Sequence, residues 1–282
     1  MKELKLHLNY AGYCLAHEHH AIRGGAKKEI KFHALWALIA PPEEGYILFD
    51  TGYTQRFFNE TKSFPNLIYA KVTKVICEKE DEVIQQLERN GIQPDEIKMI
   101  LISHFHADHI AGLKDFPNAR LISSKKAFEH TVSTPKIMGF SKGILHGLIP
   151  KDFKERIEFV EALGVQKNDA VFGHYQDLFE DDSTRLYNLP GHAAGQIGIR
   201  LKTKKNHYFL IADACWIDRS YKEMVLPHPI VKLFFHSWKD LKESLAKVNQ
   251  HYLNHPEDLI VPTHCSKTTD PLVSENIDWN AL

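Results

Sequence analysis

The stretch that decides the fold is Met99-Ile100-Leu101-Ile102-Ser103-His104-Phe105-His106-Ala107-Asp108-His109. Its first half is a short apolar run, which predicts a buried β-strand. Its second half places four potential metal ligands within six residues, directly after that strand. Imidazole nitrogens and carboxylate oxygens are the ligands that suit zinc and related first-row ions. The spacing therefore predicts a metal site where the strand ends.

Backbone geometry lets this one short loop serve more than one ion. His104 and His106 are two residues apart, so in an extended segment their side chains point to the same side. Asp108 and His109 follow where the chain is predicted to turn into a helix, so they can aim at a neighbouring point. Without a metal, these groups would be buried and unpaired, which costs several kcal/mol. A purely structural role for the loop is therefore disfavoured.

The bulk composition is that of an ordinary globular protein and excludes several function classes. Of the 282 residues, 43% are hydrophobic and 25% are charged, which is enough for a sizeable core. The formal net charge of -1 gives no general attraction to nucleic acid or to an anionic membrane. No apolar stretch approaches the roughly 18 residues that a membrane-spanning helix needs. We therefore expect neither nucleic acid nor membrane as a partner.

Two further features bear on the cellular compartment. Residues 1–7 alternate charged and apolar side chains, which predicts a strand rather than a signal peptide. The four cysteines are widely scattered and lack the paired spacing of a disulfide framework. We therefore expect reduced thiols and a cytoplasmic protein.

Hydrophobic periodicity predicts a mixed α/β protein. Short apolar or alternating runs predict strands at residues 4–8, 35–40, 46–50, 99–103, 120–123, 184–189, 196–201, 207–212 and 259–262. Helical spacing predicts helices at residues 81–89, 108–113, 125–130 and 240–250. No repeat, linker or low-complexity tract interrupts this pattern, so we expect one domain over residues 1–282.

Two stretches, near residues 131–156 and 214–238, resist assignment and are expected to be inserted loops. Both combine prolines with apolar side chains. Long irregular segments in a compact domain are usually lids or binding loops, and their apolar content argues against disorder. We expect them either to contact the substrate or to form a subunit interface, which would make the protein a homodimer.

The string from His104 to His109 matches an HxHxDH signature, and with it the chain resembles the metallo-β-lactamase superfamily. Four further motifs of that family stand in the expected order: Asp50-Thr51-Gly52, Leu189-Pro190-Gly191-His192, Leu210-Ile211-Ala212-Asp213 and Val261-Pro262-Thr263-His264. The resemblance covers residues 2–266, nearly the whole chain. It implies an α/β (α+β) fold of four layers, αββα, with metal ions at one edge between the two sheets.

The resemblance also implies a ligand set and a reaction. One ion would be held by His104, His106 and His192, and a second by Asp108, His109 and His264. Asp213 would bridge the two ions, and Asp50 would orient a ligand histidine through its other ring nitrogen. Two divalent ions roughly 3.5–4 Å apart would lower the pKa of a shared water and supply hydroxide. Zn²⁺ is expected, with Mn²⁺, Fe²⁺ or Co²⁺ as alternatives.

Asp108 and Asp213 are the expected catalytic residues in this scheme. Asp108 would carry the proton to the leaving oxygen after hydrolysis of an acyl bond. Cys215 and Cys265 lie within two residues of expected ligands. Because the ligand set is already full, we expect both thiols to be buried and inert.

Within the superfamily, the chain is most similar to the N-acyl homoserine lactone lactonases, which implies quorum quenching by cleavage of a lactone or related ester. It shares with them a short segment after His264 and an early Ala11-Gly12-Tyr13-Cys14 sequence. It departs from them in segment 17–25 and at Trp216, where those lactonases place a tyrosine that helps hold the substrate carbonyl. We expect an apolar acyl pocket lined by Trp216, Phe140, Leu148 and Phe234. The alternative for Trp216 is a core aromatic that caps the sheet edge.

Two other functions stay open at this point. The chain resembles the persulfide dioxygenases in its first motif, and those enzymes use a single iron; His109 and His264 argue for a second ion instead. A metal-holding accessory protein that binds a small metabolite without turnover is the non-enzyme alternative. Ligand-induced stabilisation without product would support that accessory role.

Overall fold

A first β-sheet of seven strands carries the N-terminal half of the chain. In this computed structural model, which describes residues 3–42, 44–274 and 276–277, its strands are β1 (Lys5–His17), β2 (Glu29–Ala40), β3 (Tyr46–Phe49), β4 (Lys74–Ile76), β5 (Ile97–Leu101), β6 (Arg120–Ser123) and β7 (Ile157–Phe159). Their order across the sheet is β4-β1-β2-β3-β5-β6-β7. β1, β2 and β3 pair antiparallel, whereas β3, β5, β6 and β7 run parallel, so the latter end at the same edge.

A second β-sheet of six strands carries the C-terminal half. Its strands are β8 (Val165–Asp169), β9 (Gly173–Asp177), β10 (Thr184–Asn188), β11 (Ile197–Lys202), β12 (His207–Ala212) and β13 (Asp258–Pro262), in reverse order across the sheet. Neighbouring strands are antiparallel except β12 and β13, which are parallel. The ends of β12 and β13 therefore also meet at one edge.

Helices follow the strands in both halves. The α-helices are α1 (Glu18–Ala21), α2 (Gln55–Glu60), α3 (Leu67–Val72), α4 (Val83–Arg89), α5 (Ala107–Ile110), α6 (Lys125–Ser133), α7 (Lys136–Gly139), α8 (Phe153–Arg156), α9 (Asp218–Glu223), α10 (Trp238–Asn254) and α11 (Ser266–Thr269). Short 3₁₀ helices lie at Lys79–Asp81, Pro94–Glu96, Leu113–Asp115, Phe140–Lys142, His146–Leu148, Val160–Ala162 and Pro229–Phe234.

Three apolar cores show that these elements stack in four layers. Leu101 of the first sheet and Ile199 of the second lie in one core, so the two sheets pack face to face. Ile100, which points to the opposite face of β5, packs with Leu87 of α4. The outer face of the second sheet packs on Leu245 of α10. The predicted αββα sandwich is therefore confirmed.

All nine predicted strands are present, with boundaries shifted by a few residues or, for the first strand, extended to His17. The structure adds four strands that the sequence did not indicate: β4, β7, β8 and β9. These are short or largely polar, and they form by pairing with neighbours rather than by burying an alternating face. The predicted helix at 108–113 is two pieces, α5 and the 3₁₀ turn Leu113–Asp115, separated by Ala111 and Gly112.

The two expected insertions contain short helices rather than continuous irregular loops. The first holds the end of α6, α7, α8 and two 3₁₀ turns, and the second holds α9 and Pro229–Phe234. Met1 and Lys2, which belong to the predicted N-terminal strand, lie outside the described residues, as does Glu43. Among the residues that the structure describes, no helix has the length and apolar character to cross a bilayer.

Candidate metal centre

The predicted ligands lie together because the strands that precede them end at one edge of the sandwich. Asp50 follows β3, the His104–His109 loop follows β5, and His192 follows β10 by four residues. Asp213 directly follows β12, and His264 stands two residues after β13. Side chains as far apart in the sequence as Asp50 and His264 therefore lie together at one edge between the two sheets.

The Asp50 carboxylate holds the His104–His109 loop in place. Its Oδ1 accepts a hydrogen bond from the Ser103 backbone N–H at 2.8 Å, and its Oδ2 lies 2.7 Å from His109 Nδ1. Asp50 adopts a left-handed backbone conformation, with φ of 60°, which turns its side chain back towards that loop. The His109 proton is therefore directed to Nδ1, which leaves Nε2 free to face the centre.

His264 is oriented in a comparable way from the second sheet. Its Nδ1–H donates to the backbone carbonyl of His33 at 2.8 Å, and its ring stacks on Phe32 with centroids 4.7 Å apart. Its Nε2 then lies 3.1 Å from Asp213 Oδ2 and 3.4 Å from Asp108 Oδ2. Sequence reasoning missed His33 and Phe32, because a backbone carbonyl leaves no signal in residue type.

All seven predicted ligands converge. His192 Nε2 lies 2.9 Å from His106 Nδ1 and 3.2 Å from Asp213 Oδ2. Three overlapping sets have ligand atoms that all lie within 4.8 Å of one another: His104 with His106 and His192, His104 with His109 and Asp213, and Asp108 with His109 and His264. Asp213 is close to members of all three sets, the position expected of a shared ligand.

The unpaired atoms of the centre fit a divalent cation. His104 Nε2, His109 Nε2 and Asp213 Oδ1 are buried and have no hydrogen-bond partner among the described residues. Leaving a buried polar group unsatisfied costs about 1–3 kcal/mol, and these atoms point into one shared space. A set of imidazole and carboxylate donors is the one that zinc and neighbouring first-row ions prefer. The residues present therefore suit divalent metal binding.

Burial and neighbouring charges set the protonation of the ligands. Burial lowers the pKa of His104 well below its usual value, and it lowers the pKa of His106 to about 4 although Asp108 opposes it. Burial alone would lower the pKa of His109, but the carboxylates of Asp108 and Asp50 outweigh it and raise that pKa to about 10. Without a cation, a proton on His109 balances these carboxylates, so metal binding should release protons.

The expected substrate pocket is only partly supported. Phe234 lines a small cavity against His106 and His192. Trp216 donates its indole N–H to Asp213 Oδ2 at 3.1 Å, so it contacts the centre directly. The placement of Leu148 is wrong, because its side chain is fully buried in the core beneath the first sheet. Phe140 is half-buried and is not among the residues that line this cavity.

Gly143 is a second position that sequence reasoning missed. It adopts a left-handed conformation with φ of 72°, and a Cβ built on it would lie 2.4 Å from the His106 ring. The neighbouring Lys142 backbone forms a hydrogen bond with His106. The backbone at residues 142–143 therefore lies directly against the His106 ring, and only glycine allows this close approach.

Comparison with known protein families agrees with this geometry. A family model described as the metallo-beta-lactamase superfamily matches residues 31–264. The N-acyl homoserine lactonase AttM of Azorhizobium caulinodans is 28% identical over 151 residues, which cover 53% of this chain and 53% of that protein. AttM of Agrobacterium fabrum is 24% identical over 66% of this chain and 65% of its own length. The chain thus spans about half to two thirds of these relatives.

Other relatives match over more of their length. The N-acyl homoserine lactonase AiiA of Bacillus thuringiensis subsp. kurstaki is 26% identical over 76% of this chain and 77% of that protein. A solved N-acyl homoserine lactone hydrolase with bound N-hexanoyl-L-homoserine superposes with a TM-score of 0.71 at 20% identity, covering 96% of this chain and 97% of that one. AidC, a dizinc quorum-quenching lactonase, gives a TM-score of 0.65 at 18% identity, covering 94% and 90%. These superpositions establish the shared fold.

Proposed function

Since the chain belongs to the metallo-beta-lactamase superfamily, we propose that it is a metal-dependent hydrolase that opens a lactone or cleaves a related ester. The observation that carries the proposal is that seven His and Asp side chains converge on one small region. Several of their ligand atoms are buried there without a hydrogen-bond partner among the described residues. The curated relatives at 24–28% identity are named N-acyl homoserine lactonases, which makes acyl homoserine lactones the first substrates to test.

The donor set supports two divalent ions, with Zn²⁺ as the metal we propose. His104, His106 and His192 form one ligand set, Asp108, His109 and His264 form another, and Asp213 lies between them. A relative with the same fold is described as a dizinc lactonase. When bound, such ions supply Lewis acidity to a carbonyl oxygen and lower the pKa of a bound water.

The chain's own residues would position and move the remaining groups. Asp50 and the His33 carbonyl fix the ring orientations of His109 and His264, so their Nε2 atoms stay aimed at the centre. The Asp108 side chain keeps 11% of its surface exposed, against 0% for His109 and 3% for His264. The Asp108 carboxylate is therefore the group we propose to accept a proton from the nucleophile and return it to the leaving oxygen.

The second ligand set separates this proposal from the alternatives. Asp108, His109 and His264 have ligand atoms within 4.8 Å of one another, so a second cation has donors ready. A single-iron oxygenase of the persulfide dioxygenase kind would leave these donors unused. A non-catalytic accessory protein would bind a lactone without hydrolysing it, so a hydrolysis assay distinguishes the two functions.

The test combines metal analysis with a hydrolysis assay. Purified protein should contain two divalent ions per chain and should release acid from members of a lactone and ester panel, followed by pH-stat titration. Asp108→Asn should lose about 10²–10⁴-fold in kcat, the range for loss of a general acid or base. Asp95→Asn, an exposed control whose Oδ1 accepts a hydrogen bond from the Asn118 side chain, should be unaffected. Fewer than one ion per chain, and no hydrolysis after zinc or manganese is added, would refute the proposal.

We further propose a cytoplasmic location and a small-molecule lactone or ester as the physiological partner. Free thiols at all four cysteines support a reducing compartment. Ile230, Leu233 and Phe234 are exposed on one 3₁₀ helix, and Phe234 lines the cavity beside the centre, so this surface offers either a substrate rim or a homodimer contact. Cell fractionation tests the location. Light scattering of the purified protein distinguishes a dimer from a monomer.

A further inference from the structure

A group of histidines outside the metal centre comes together from two distant parts of the chain. This peripheral histidine cluster consists of His17, His19, His20 and His228. The ring centroids of His17 and His19 are 5.5 Å apart, those of His17 and His20 are 5.4 Å apart, and those of His19 and His20 are 4.2 Å apart. The His228 ring lies 6.1 Å from His20. Three rings therefore form a closed triangle, with a fourth beside it.

Backbone hydrogen bonds hold the two halves of the cluster together. The His228 N–H donates to the His20 carbonyl at 3.0 Å, and the Arg23 N–H donates to the Leu226 carbonyl at 3.1 Å. His17 ends β1, and His19 and His20 belong to the single turn of α1. The segment singled out in the sequence as unusual is thus anchored against residues 226–228.

The ring spacing of the cluster matches that of the metal centre. Ring contacts among the ligand histidines of the centre span 4.0–6.1 Å between centroids, close to the 4.2–6.1 Å of the cluster. Centroid distances do not depend on which way an imidazole is flipped, whereas the nitrogen positions do. His19 Nδ1 is also buried, and within the part of the chain that the structure describes it has no hydrogen-bond partner. The rings are therefore as close to one another as those of the metal centre, although their nitrogens do not converge in the present ring orientations.

We propose that the peripheral histidine cluster binds one divalent transition-metal cation, of the Zn²⁺ or Cu²⁺ class, through imidazole nitrogens of His17, His19 and His20, with His228 completing the set. Neutral imidazole is a preferred ligand of both ions. The nitrogens do not yet converge as tightly as those of the metal centre. Coordination therefore requires the rings to rotate about their Cβ–Cγ bonds, and His17 and His228 are exposed. His228 Nδ1 accepts a hydrogen bond from the Ile230 N–H at 3.2 Å, so its Nε2 is the nitrogen we assign to the cation.

The charge state of the cluster favours this binding. Burial, together with the neighbouring His19, His17 and His228 rings, lowers the pKa of His20. The imidazole is therefore more readily neutral, which is the form that binds metal. The neighbouring Glu18 carboxylate lies 3.5 Å from the Lys28 ammonium group, so we propose that the imidazoles alone supply the ligands.

Occupancy would have a structural consequence for the site. His228 immediately precedes the 3₁₀ helix Pro229–Phe234, and Phe234 lines the cavity against two ligand histidines, His106 and His192. A cation shared between α1 and His228 would fasten the start of this segment to the first sheet. The cluster would then restrain one wall of the entrance to the metal centre, independently of whether that centre hydrolyses lactones.

The test counts zinc ions in untagged protein by titration against a competing chromophoric chelator. Wild-type protein should bind one more zinc ion per chain than the His17→Ala/His20→Ala variant. The control His174→Ala/His255→Ala, which removes two histidines elsewhere on the surface, should bind as many ions as the wild type. Equal zinc numbers in the wild type and in the His17→Ala/His20→Ala variant would overturn the proposal.

A second variant separates the cluster from the metal centre. His104→Ala/His264→Ala should lose the central ions but keep the peripheral one, so a failure of the proposed hydrolase centre leaves this inference testable. Zinc should also slow amide hydrogen exchange in residues 17–25 and 226–230 of this variant. Unchanged exchange in both segments would contradict the fastening of the entrance wall.

Discussion

At the scale of single residues, the centre depends on groups that touch no cation themselves. Asp50 uses both carboxylate oxygens, one on the Ser103 N–H and one on His109. The Ser103 hydroxyl lies 3.0 Å from His104 Nδ1 and 3.2 Å from His109 Nδ1. Ligand orientation is thus fixed before a cation arrives, which lowers the entropy cost of binding.

Asp50→Asn tests this orientation. The amide keeps the size of the side chain but removes the charge that holds the His109 proton on Nδ1. We expect zinc affinity to fall about 10–100-fold, the usual effect of losing such a supporting group. Chelator competition measures it, with Asp95→Asn as the matched surface control. Unchanged affinity would show that His109 does not need this partner.

Gly143→Ala tests the close approach to His106. The added Cβ would lie 2.4 Å from the ring, so the ring must move and its Nδ1 leaves the ligand set. Gly91→Ala is the matched control, because Gly91 has a similar φ of 79° and nothing within 4 Å of its Cβ position. Both variants should lose about 1 kcal/mol of stability from backbone strain. Only Gly143→Ala should also lose zinc affinity, and equal affinities would contradict the assigned contact.

At the scale of elements, the beginning of α10 carries the loop that presents His192. The Ser237 N–H donates to the Gly191 carbonyl at 3.0 Å, and the Ser244 hydroxyl donates to the Pro190 carbonyl at 2.6 Å. A Cβ on Gly191 would lie 2.3 Å from the Leu241 backbone, so loop and helix are in direct contact. Helix packing, and not the loop sequence alone, therefore sets the position of this ligand.

Two serine variants of α10 separate helix stability from loop position. Ser237→Ala removes the N-cap, whose hydroxyl accepts from the Asp240 N–H, and should cost about 1 kcal/mol. Ser244→Ala leaves the Pro190 carbonyl unpaired and should cost about 1–3 kcal/mol. We expect only Ser244→Ala to weaken zinc binding, as followed by chelator competition alongside urea denaturation. If both variants bound zinc equally, the Ser244 contact would have no part in presenting His192.

At the scale of the whole molecule, a buried ion network joins three elements away from the centre. Asp258 of β13 accepts from Arg200 of β11 at 2.5 and 2.8 Å and lies 2.7 Å from His251 of α10. All three side chains are buried. The network fixes β13 against β11 and α10, and β13 leads directly to His264.

This network predicts how stability depends on pH. Burial alone would raise the pKa of Asp258, but hydrogen bonds from His251 and Arg200 outweigh it and lower that pKa. A carboxylate with a lowered folded-state pKa stabilises the fold above its unfolded value of about 3.9 and loses this contribution as the pH falls towards the folded value.

Asp258→Asn should remove that pH-dependent contribution. In metal-free protein, the urea midpoint of the wild type should fall more steeply below about pH 4 than that of the variant. At pH 7 the variant should be less stable by about 3–5 kcal/mol, because Arg200 remains buried without its partner. Asp152→Asn, which removes a mostly exposed carboxylate, serves as the control. Parallel acid profiles for the wild type and Asp258→Asn would rule out this role.

The sequence by itself determined the features that depend on neighbouring residues. The apolar run before His104, the alternating strands and the helical face of α10 all follow from local periodicity, which is why their positions could be predicted. The loop from His104 to His109 places four potential metal ligands within six residues, so a metal site could be predicted there from the sequence alone. The family resemblance then indicated which distant residues would join it.

Only the tertiary structure decided what depends on contacts between distant segments. The polar strands β8 and β9, the burial of Leu148 and the close approach of Gly143 to His106 arise from pairing and packing across the fold. The same holds for the His33 carbonyl behind His264 and for the peripheral histidine cluster. Residue type and spacing carry no information about such contacts, because their free energy arises only when two remote pieces of chain meet.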